Sequence, residues 1–125
     1  MSENFLEINN VTFAASDKNK VSNVSLNIEK EGDVVCLLGP SGIGKTTILR
    51  TIAGLERVQS GKIVLKNKII SSKDVHVEPE KRNISLSFQD NCLFPHFNVI
   101  QNIEFGAARN VKKKKNLSIK EVVKF

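Results

Sequence analysis

The stretch Val34-Val35-Cys36-Leu37-Leu38-Gly39-Pro40-Ser41-Gly42-Ile43-Gly44-Lys45-Thr46-Thr47 decides the fold of this 125-residue chain. Its first five residues are apolar without alternation, the pattern of a strand covered on both faces. Gly39, Gly44, Lys45 and Thr46 then fit the spacing G-x-x-x-x-G-K-[ST] of a phosphate-binding loop. Glycines allow the backbone to curl until several N–H groups converge, with no Cβ to obstruct a phosphate. After Lys45 the apolar residues Ile48, Leu49, Ile52 and Ala53 fall on one helical face, and Gly54 stands where a C-terminal cap belongs. A helix opening here adds the partial positive charge of its N-terminus. Lys45 would carry a full charge to the β- and γ-phosphates, and the Thr46 hydroxyl would ligate Mg²⁺. Pro40, Ser41, Gly42, Ile43 and Thr47 complete the expected nucleotide contact.

Upstream of this stretch the chain reads as a small β-layer. Phe5 to Phe13 has strand character, with Leu6 and Ile8 on one side and Glu7 and Asn9 on the other. Ser16 to Lys20 is a polar turn, and Val24-Ser25-Leu26-Asn27-Ile28 alternates as a half-buried antiparallel strand does. Glu31-Gly32-Asp33 turns the chain into the apolar run. Downstream, Ile84, Leu86 and Phe88 alternate as a second core strand, with Gln89 at its C-terminal end. Ligands of open α/β sheets gather at such ends, which would bring Gln89 towards the loop.

The totals suit one soluble domain at most: 40% hydrophobic and 26% charged residues, with no run of membrane-spanning length. Met1-Ser2-Glu3-Asn4-Phe5 lacks the basic and apolar regions of a signal peptide, so the expected location is cytoplasmic. Cys36 and Cys92 form no disulfide framework and no metal spacing; Cys36 is expected as a reduced thiol inside the apolar strand. Of the net charge of +6, Lys112 to Lys115 supply +4. Without interleaved aromatic residues this block reads as a solvated loop, and no specific nucleic acid is expected as a partner.

Val24 to Leu55, with Val-Ser-Leu ahead of the glycine loop and Ala-Gly-Leu-Glu after the helix, resembles the ATPase subunits of ABC transporters. Ser60-Gly61-Lys62-Ile63 resembles the short strand after that helix. Lys66-Asn67-Lys68-Ile69 resembles the family's hairpin, with Lys68 after Asn67 in place of the glycine a tight turn prefers. Gln89 matches the Q-loop glutamine, which the resemblance associates with Mg²⁺, the attacking water and coupling to the transmembrane subunits. Leu93-Phe94-Pro95-His96-Phe97-Asn98-Val99 resembles the importer branch that handles ferric iron, sulfate, polyamines and sugars, and Asn102-Ile103-Glu104-Phe105-Gly106 completes the match. From spacing alone, Phe94 and Phe97 suit core packing as well as they suit an exposed loop; the resemblance makes the loop a docking surface for a membrane-embedded partner. His96 is not expected to be a catalytic base.

The resemblance implies an α/β fold: a P-loop NTPase (RecA-like) core with an N-terminal antiparallel β-layer, ending within the helical subdomain. The β-layer would take residues of about 1–33, the P-loop core about 34–90 and the start of the helical subdomain about 91–125. It implies ATP and Mg²⁺ as ligands, Lys45 and Gln89 as catalytic residues, and Thr46 and Gln89 at the metal. It also implies transmembrane permease subunits and a second ATPase subunit as partners, a homodimer when intact, peripheral on the inner face of the membrane. The solute is left open, with ferric iron one candidate.

Two features depart from the family pattern. The adenine-stacking aromatic would fall on Ala15; Phe13, two residues earlier, is not counted as a site. After Gln89 there is no apolar run ending in Asp-Glu, no Leu-Ser-Gly-Gly-Gln signature and no switch histidine. Ser118 to Glu121 reads as a capping box with Ile119, Val122 and Val123 opening an apolar stripe that stops at Phe125. The chain is therefore expected to be an N-terminal fragment that binds ATP and does not hydrolyse it alone. Two alternatives stay open: a soluble ABC-type ATPase acting on nucleic acid or ribosomes through the lysine block, and a truncated chain without function.

Overall fold

A computed structural model describes residues 4–14, 20–89 and 92–109. The chain divides into two units, Met1–Leu86 and Ser87–Phe125, each taken by itself below.

In the first unit a four-stranded antiparallel sheet has the order β2-β1-β3-β4. The strands are β1 (Leu6–Ala14), β2 (Lys20–Ile28), β3 (Ser60–Leu65) and β4 (Lys68–Ser72). One helix, α1 (Lys45–Ala53), stands between β2 and β3 in sequence. The expected antiparallel β-layer is thus present, and the α/β class holds. Lys20, from the expected polar turn, opens β2; residues 15–19 lie outside the described ones.

The buried residues of β1 are Leu6 and Ile8, then Val11 and Phe13. A regular strand keeps one parity on one face, so an extra residue must intervene between Ile8 and Val11. The pairing with β2 shifts register at this place, and Asn10 sits there at φ 49°. Asparagine tolerates this left-handed conformation better than most residues. The bulge is held across the sheet, where the Ser25 hydroxyl accepts from the Asn10 backbone N–H at 3.0 Å. It also explains Gly61 in β3: a Cβ there would collide with the carbonyl oxygens of Asn9 and Asn10, and its φ is 79°. With its parity restored, β1 packs with Val58, Ile63 and Ile70 in the core, against which Ile48 and Ile52 of α1 are laid.

The β3–β4 hairpin turns through Lys66 and Asn67, at φ 46° and 64°, while Leu65 pairs with Lys68. Both central residues have positive φ, as the tightest hairpins require. The residue in glycine's usual role is therefore Asn67, and Lys68 already belongs to β4. Lys66 is held from three sides. Its N–H donates to the Phe5 carbonyl at 2.9 Å, its ammonium pairs with Glu31 at 3.1 Å, and it lies 5.0 Å above the Phe5 ring.

Two expected core strands are not strands. Among the described residues Val34 to Leu38 joins no ladder, and Val34 and Leu38 are 91% and 92% exposed. Cys36 is likewise an exposed free thiol, not a buried one. Residues 84–88 likewise join no ladder among the described residues, although Ile84 packs against the core of the first unit. A strand covered on both faces needs a bonded neighbour and an apolar layer on each side, and the described residues of this unit supply neither to Val34–Leu38.

The second unit contains α2 (Val99–Arg109). Asn98 and Gln101 cap it reciprocally: the Gln101 N–H donates to Asn98 Oδ1 at 2.8 Å, and the Asn98 N–H to Gln101 Oε1 at 2.9 Å. This is the capping-box geometry with asparagine and glutamine in the two roles. The lysine block and the expected capping box at Ser118–Glu121 lie outside the described residues.

Candidate phosphate loop and its supports

Glu31-Gly32-Asp33 makes the expected turn. The Asp33 carboxylate accepts from the Lys30 N–H at 3.1 Å, and Gly32 takes φ 98°. From there the chain runs through Val34–Leu38 into the glycine loop, which turns at Ser41–Gly42 and bends into α1 at Gly44. Gly42 and Gly44 both have positive φ, 80° and 107°. Gly44 is also closely packed: a Cβ there would stand 2.7 Å from Val21 Cγ2 and 3.9 Å from Phe13 Cε2. The loop therefore rests on the β-layer, and glycine at 44 is required twice, by conformation and by contact.

Lys45 opens α1 and folds back over the loop. Its Nζ donates to the Gly39 carbonyl and, at 2.8 Å, to the Pro40 carbonyl. The ammonium thus sits inside the curve formed by Gly39 to Gly44, where a phosphate would need a positive charge. Thr46 follows on the first turn of the helix and is exposed, as a hydroxyl must be to reach a ligand. The structure brings the residues Gly39 to Thr47 into one loop and helix start. Gln89 is exposed in the second unit, and its meeting with the loop is a proposal taken up below. A phosphate fits this cradle: a loop turning at Gly42, where an added Cβ would meet only open space, an ammonium within the curve, and an exposed hydroxyl beside it.

Phe13 is 1% exposed and lies in the core beneath Gly44, so its ring is not presented for stacking on a base. Ala15 lies outside the described residues. On α1, Ile48 and Ile52 face the core and Ala53 is buried, but Leu49 is exposed, so the helix buries a narrower face than expected.

The far end of α1 holds a side chain that periodicity does not reveal. Gly54 (φ 90°) ends the helix; its N–H donates to the Thr51 carbonyl at 3.1 Å and that of Leu55 to the Arg50 carbonyl at 2.9 Å. These are the two bonds of a Schellman cap. Arg82, 2% exposed, lies against it, and a Cβ at Gly54 would overlap the guanidinium. All five guanidinium N–H groups have acceptors. Nε donates to the Val77 carbonyl at 2.6 Å, and Nη1 donates to the carbonyls of Thr51 at 3.1 Å and Ile52 at 3.0 Å. Nη2 donates to Ser71 Oγ at 2.8 Å and lies 3.3 Å from His76 Nδ1. The carbonyl end of a helix carries partial negative charge, which suits a buried cation. Burial still holds the Arg82 pKa below the usual arginine value, with Glu78 opposing, and arginine stays charged at neutral pH. His76 is held below its ordinary 6.5 by burial first, then by Arg57 and Arg82; Glu78 and a backbone hydrogen bond to Gly54 oppose. The sequence shows Arg82 only as one of several basic residues; the turn at Pro79–Lys81 that aims it inward would have been the available signal.

In the second unit, Asn102 organises the loop before α2. Its Oδ1 accepts from the Phe94 N–H at 2.9 Å, and its Nδ2 donates to the carbonyls of Phe94, Phe97 and Asn98 at 3.3, 3.2 and 3.0 Å. Phe94 packs at tilted angles on Phe97 and Phe105, with ring centroids 5.2 and 4.8 Å away, and His96 stands edge-on to Phe97 at 4.4 Å. The rings pack on one another and leave a groove of about 370 Å³, lined by Leu93, Phe94, Pro95, Phe97, Val99 and Ile103 among others. Among the described residues, no helix is long and apolar enough to cross a membrane.

Residues 21–124 match the profile of the ABC transporter family. The chain is 44% identical over 124 residues to the spermidine/putrescine import ATP-binding protein PotA of Mesoplasma florum, covering 99% of this chain and 34% of that protein. It is 42% identical over 120 residues to the Fe(3+) ions import ATP-binding protein FbpC of Fusobacterium nucleatum, covering 96% of this chain and 31% of that protein. Among solved structures it resembles MJ1267, an ATP-binding cassette of an ABC transporter, with a TM-score of 0.50 and 27% identity over 58% of this chain and 28% of that one. The chain thus spans about a third of the length of these curated relatives. Since the family profile takes in the β2 strand, the glycine loop, α1 and the segment from β3 through α2, the chain belongs to the ABC transporter family.

Proposed function

We propose that the chain is the ATP-binding, N-terminal part of the nucleotide-binding subunit of an ABC importer. The observation that carries this reading is the Lys45 ammonium, held inside the glycine curve on the carbonyls of Gly39 and Pro40 at the start of α1. A triphosphate would replace those two carbonyls as its partner, with the loop N–H groups and the N-terminus of α1 completing the cradle. Thr46 would hold the Mg²⁺ that accompanies ATP, joined by Gln89 in the closed site, where the metal spreads the charge of the phosphates. Residues of about 1–33 open the β-layer, to which β3 and β4 add two strands from within the P-loop core of about 34–90, and about 91–125 start the helical subdomain.

The apolar groove at Leu93–Ile103 supports docking on a transmembrane permease subunit, with the protein peripheral on the cytoplasmic face of the membrane. A second ATPase subunit completes the site across a homodimer. The names of the relatives support a cationic solute, a polyamine or ferric iron. These 125 residues contain no apolar run ending in Asp-Glu, and on their own they release negligible phosphate from ATP.

Titration with a fluorescent ATP analogue tests the reading. Lys45→Ala removes a charge-assisted contact of about 1.5–3 kcal/mol, so affinity should fall roughly tenfold to a hundredfold. Unchanged affinity would overturn the assignment.

A further inference from the structure

The Arg82 cluster lies at the opposite end of α1 from the phosphate loop, and the two ends belong to one rigid element. A nine-residue helix is about 13 Å long and transmits a tilt from one end to the other. Its N-terminal end is seated by Gly44 against Val21 and Phe13. The C-terminal end is fixed by Arg82, which ties the carbonyls of Thr51 and Ile52 to Ser71 of β4 and to Val77. Any change in that tie alters the direction in which Lys45, Thr46 and the first N–H groups of α1 point.

We propose that Arg82 is a positioning residue for the phosphate loop, clamping the far end of α1, and that His76 makes the clamp sensitive to pH. The proposal rests on the nucleotide reading above and adds regulation to it. His76 Nδ1 lies 3.3 Å from Arg82 Nη2, and a ring nitrogen can accept from a guanidinium only when it carries no proton. Protonation converts Nδ1 into a donor and sets two cations side by side. The groups facing His76 are Arg57 beyond the end of α1, Arg82 and Glu78 on the segment after β4, and the backbone of Gly54. Among the described residues, two cations stand against one carboxylate, a balance that disfavours a charged imidazole there. Acidification therefore drives the ring away from Arg82, and the guanidinium loses one of its five acceptors. A backbone bridge between Ser71 and His76 keeps the ring beside Ser71, whose hydroxyl is another Arg82 acceptor.

The test uses the purified 125-residue chain and its Arg82→Met, Arg82→Lys and His76→Gln variants. Hydrogen exchange of the α1 amides, corrected for intrinsic rates, is followed without nucleotide between about pH 5.5 and 8. Affinity for the fluorescent ATP analogue is measured over the same range. In the wild type, protection of α1 and affinity should both fall on the acid side. His76→Gln keeps an acceptor that does not titrate, and both profiles should become flat. Arg82→Met should weaken the analogue roughly tenfold or more at every pH, with Arg82→Lys recovering part of the loss. Wild-type protection and affinity in Arg82→Met, or an unaltered acid limb in His76→Gln, would overturn the proposal. Where Arg82→Met also strips protection from the β-layer, the His76→Gln profile decides. If the wild type binds no analogue at all, the nucleotide reading fails while the exchange profiles still judge the clamp.

Discussion

Arg82 Nη1 donates to the carbonyl of Thr51, thirty-one positions earlier in the chain, at 3.1 Å. This bond joins the segment after β4 to the end of the helix that begins with Lys45. The phosphate loop is therefore supported at both ends of α1: by Gly44 on the sheet and by Arg82 at the cap. Neither support lies in the motif's own polar chemistry.

The clearest effect on stability is expected at Gly61. Gly61→Val places a β-branched side chain at φ 79° against the carbonyls of Asn9 and Asn10. Strain of this kind costs on the order of 1–3 kcal/mol before any displacement of the bulge is counted. Urea unfolding should show a lower midpoint with an unchanged slope, and a wild-type midpoint would show that the bulge does not need glycine at its partner position.

Stability should also fall on the acid side because of His76. Its folded value lies below 6.5, so as pH falls the unfolded chain takes up the proton first. The loss begins as pH passes through 6.5 and continues until the folded-state value is passed. Thermal melts of the wild type and His76→Gln across that window should converge at neutral pH and separate below it. Parallel curves would exclude His76 as the source.

At the start of α2, Asn98→Ala removes the acceptor for the Gln101 N–H and half of the reciprocal cap. Substitutions of this type cost about 0.5–2 kcal/mol. Amide exchange in the first turn of α2 should quicken, and restoring an acceptor with Asn98→Ser should recover most of the protection.

Asn102→Leu has a different expected outcome. It deletes three donor contacts and one acceptor contact to the backbone of the Phe94–Asn98 loop while keeping a side chain of similar size. The ring packing of Phe94, Phe97 and Phe105 should loosen, seen as loss of their ring-current-shifted proton resonances. Unchanged shifts would show that the rings hold the loop without Asn102.

By itself, the sequence determined the glycine-rich loop and the helix after it, because both depend on local spacing: glycines where the backbone must curl, Lys45 opening the helix, and a capping glycine nine residues on from it. It also determined the β-layer, since alternation along Val24–Ile28 survives as pairing with β1. The bulge at Asn10, the core position of Phe13 and the Arg82 clamp were decided only by tertiary structure. Each depends on what a neighbouring strand or helix presents at one point, and no periodicity along the chain encodes that. The same limit explains Val34–Leu38: its composition specifies burial on two faces, but a strand forms only where a neighbour provides hydrogen bonds and cover.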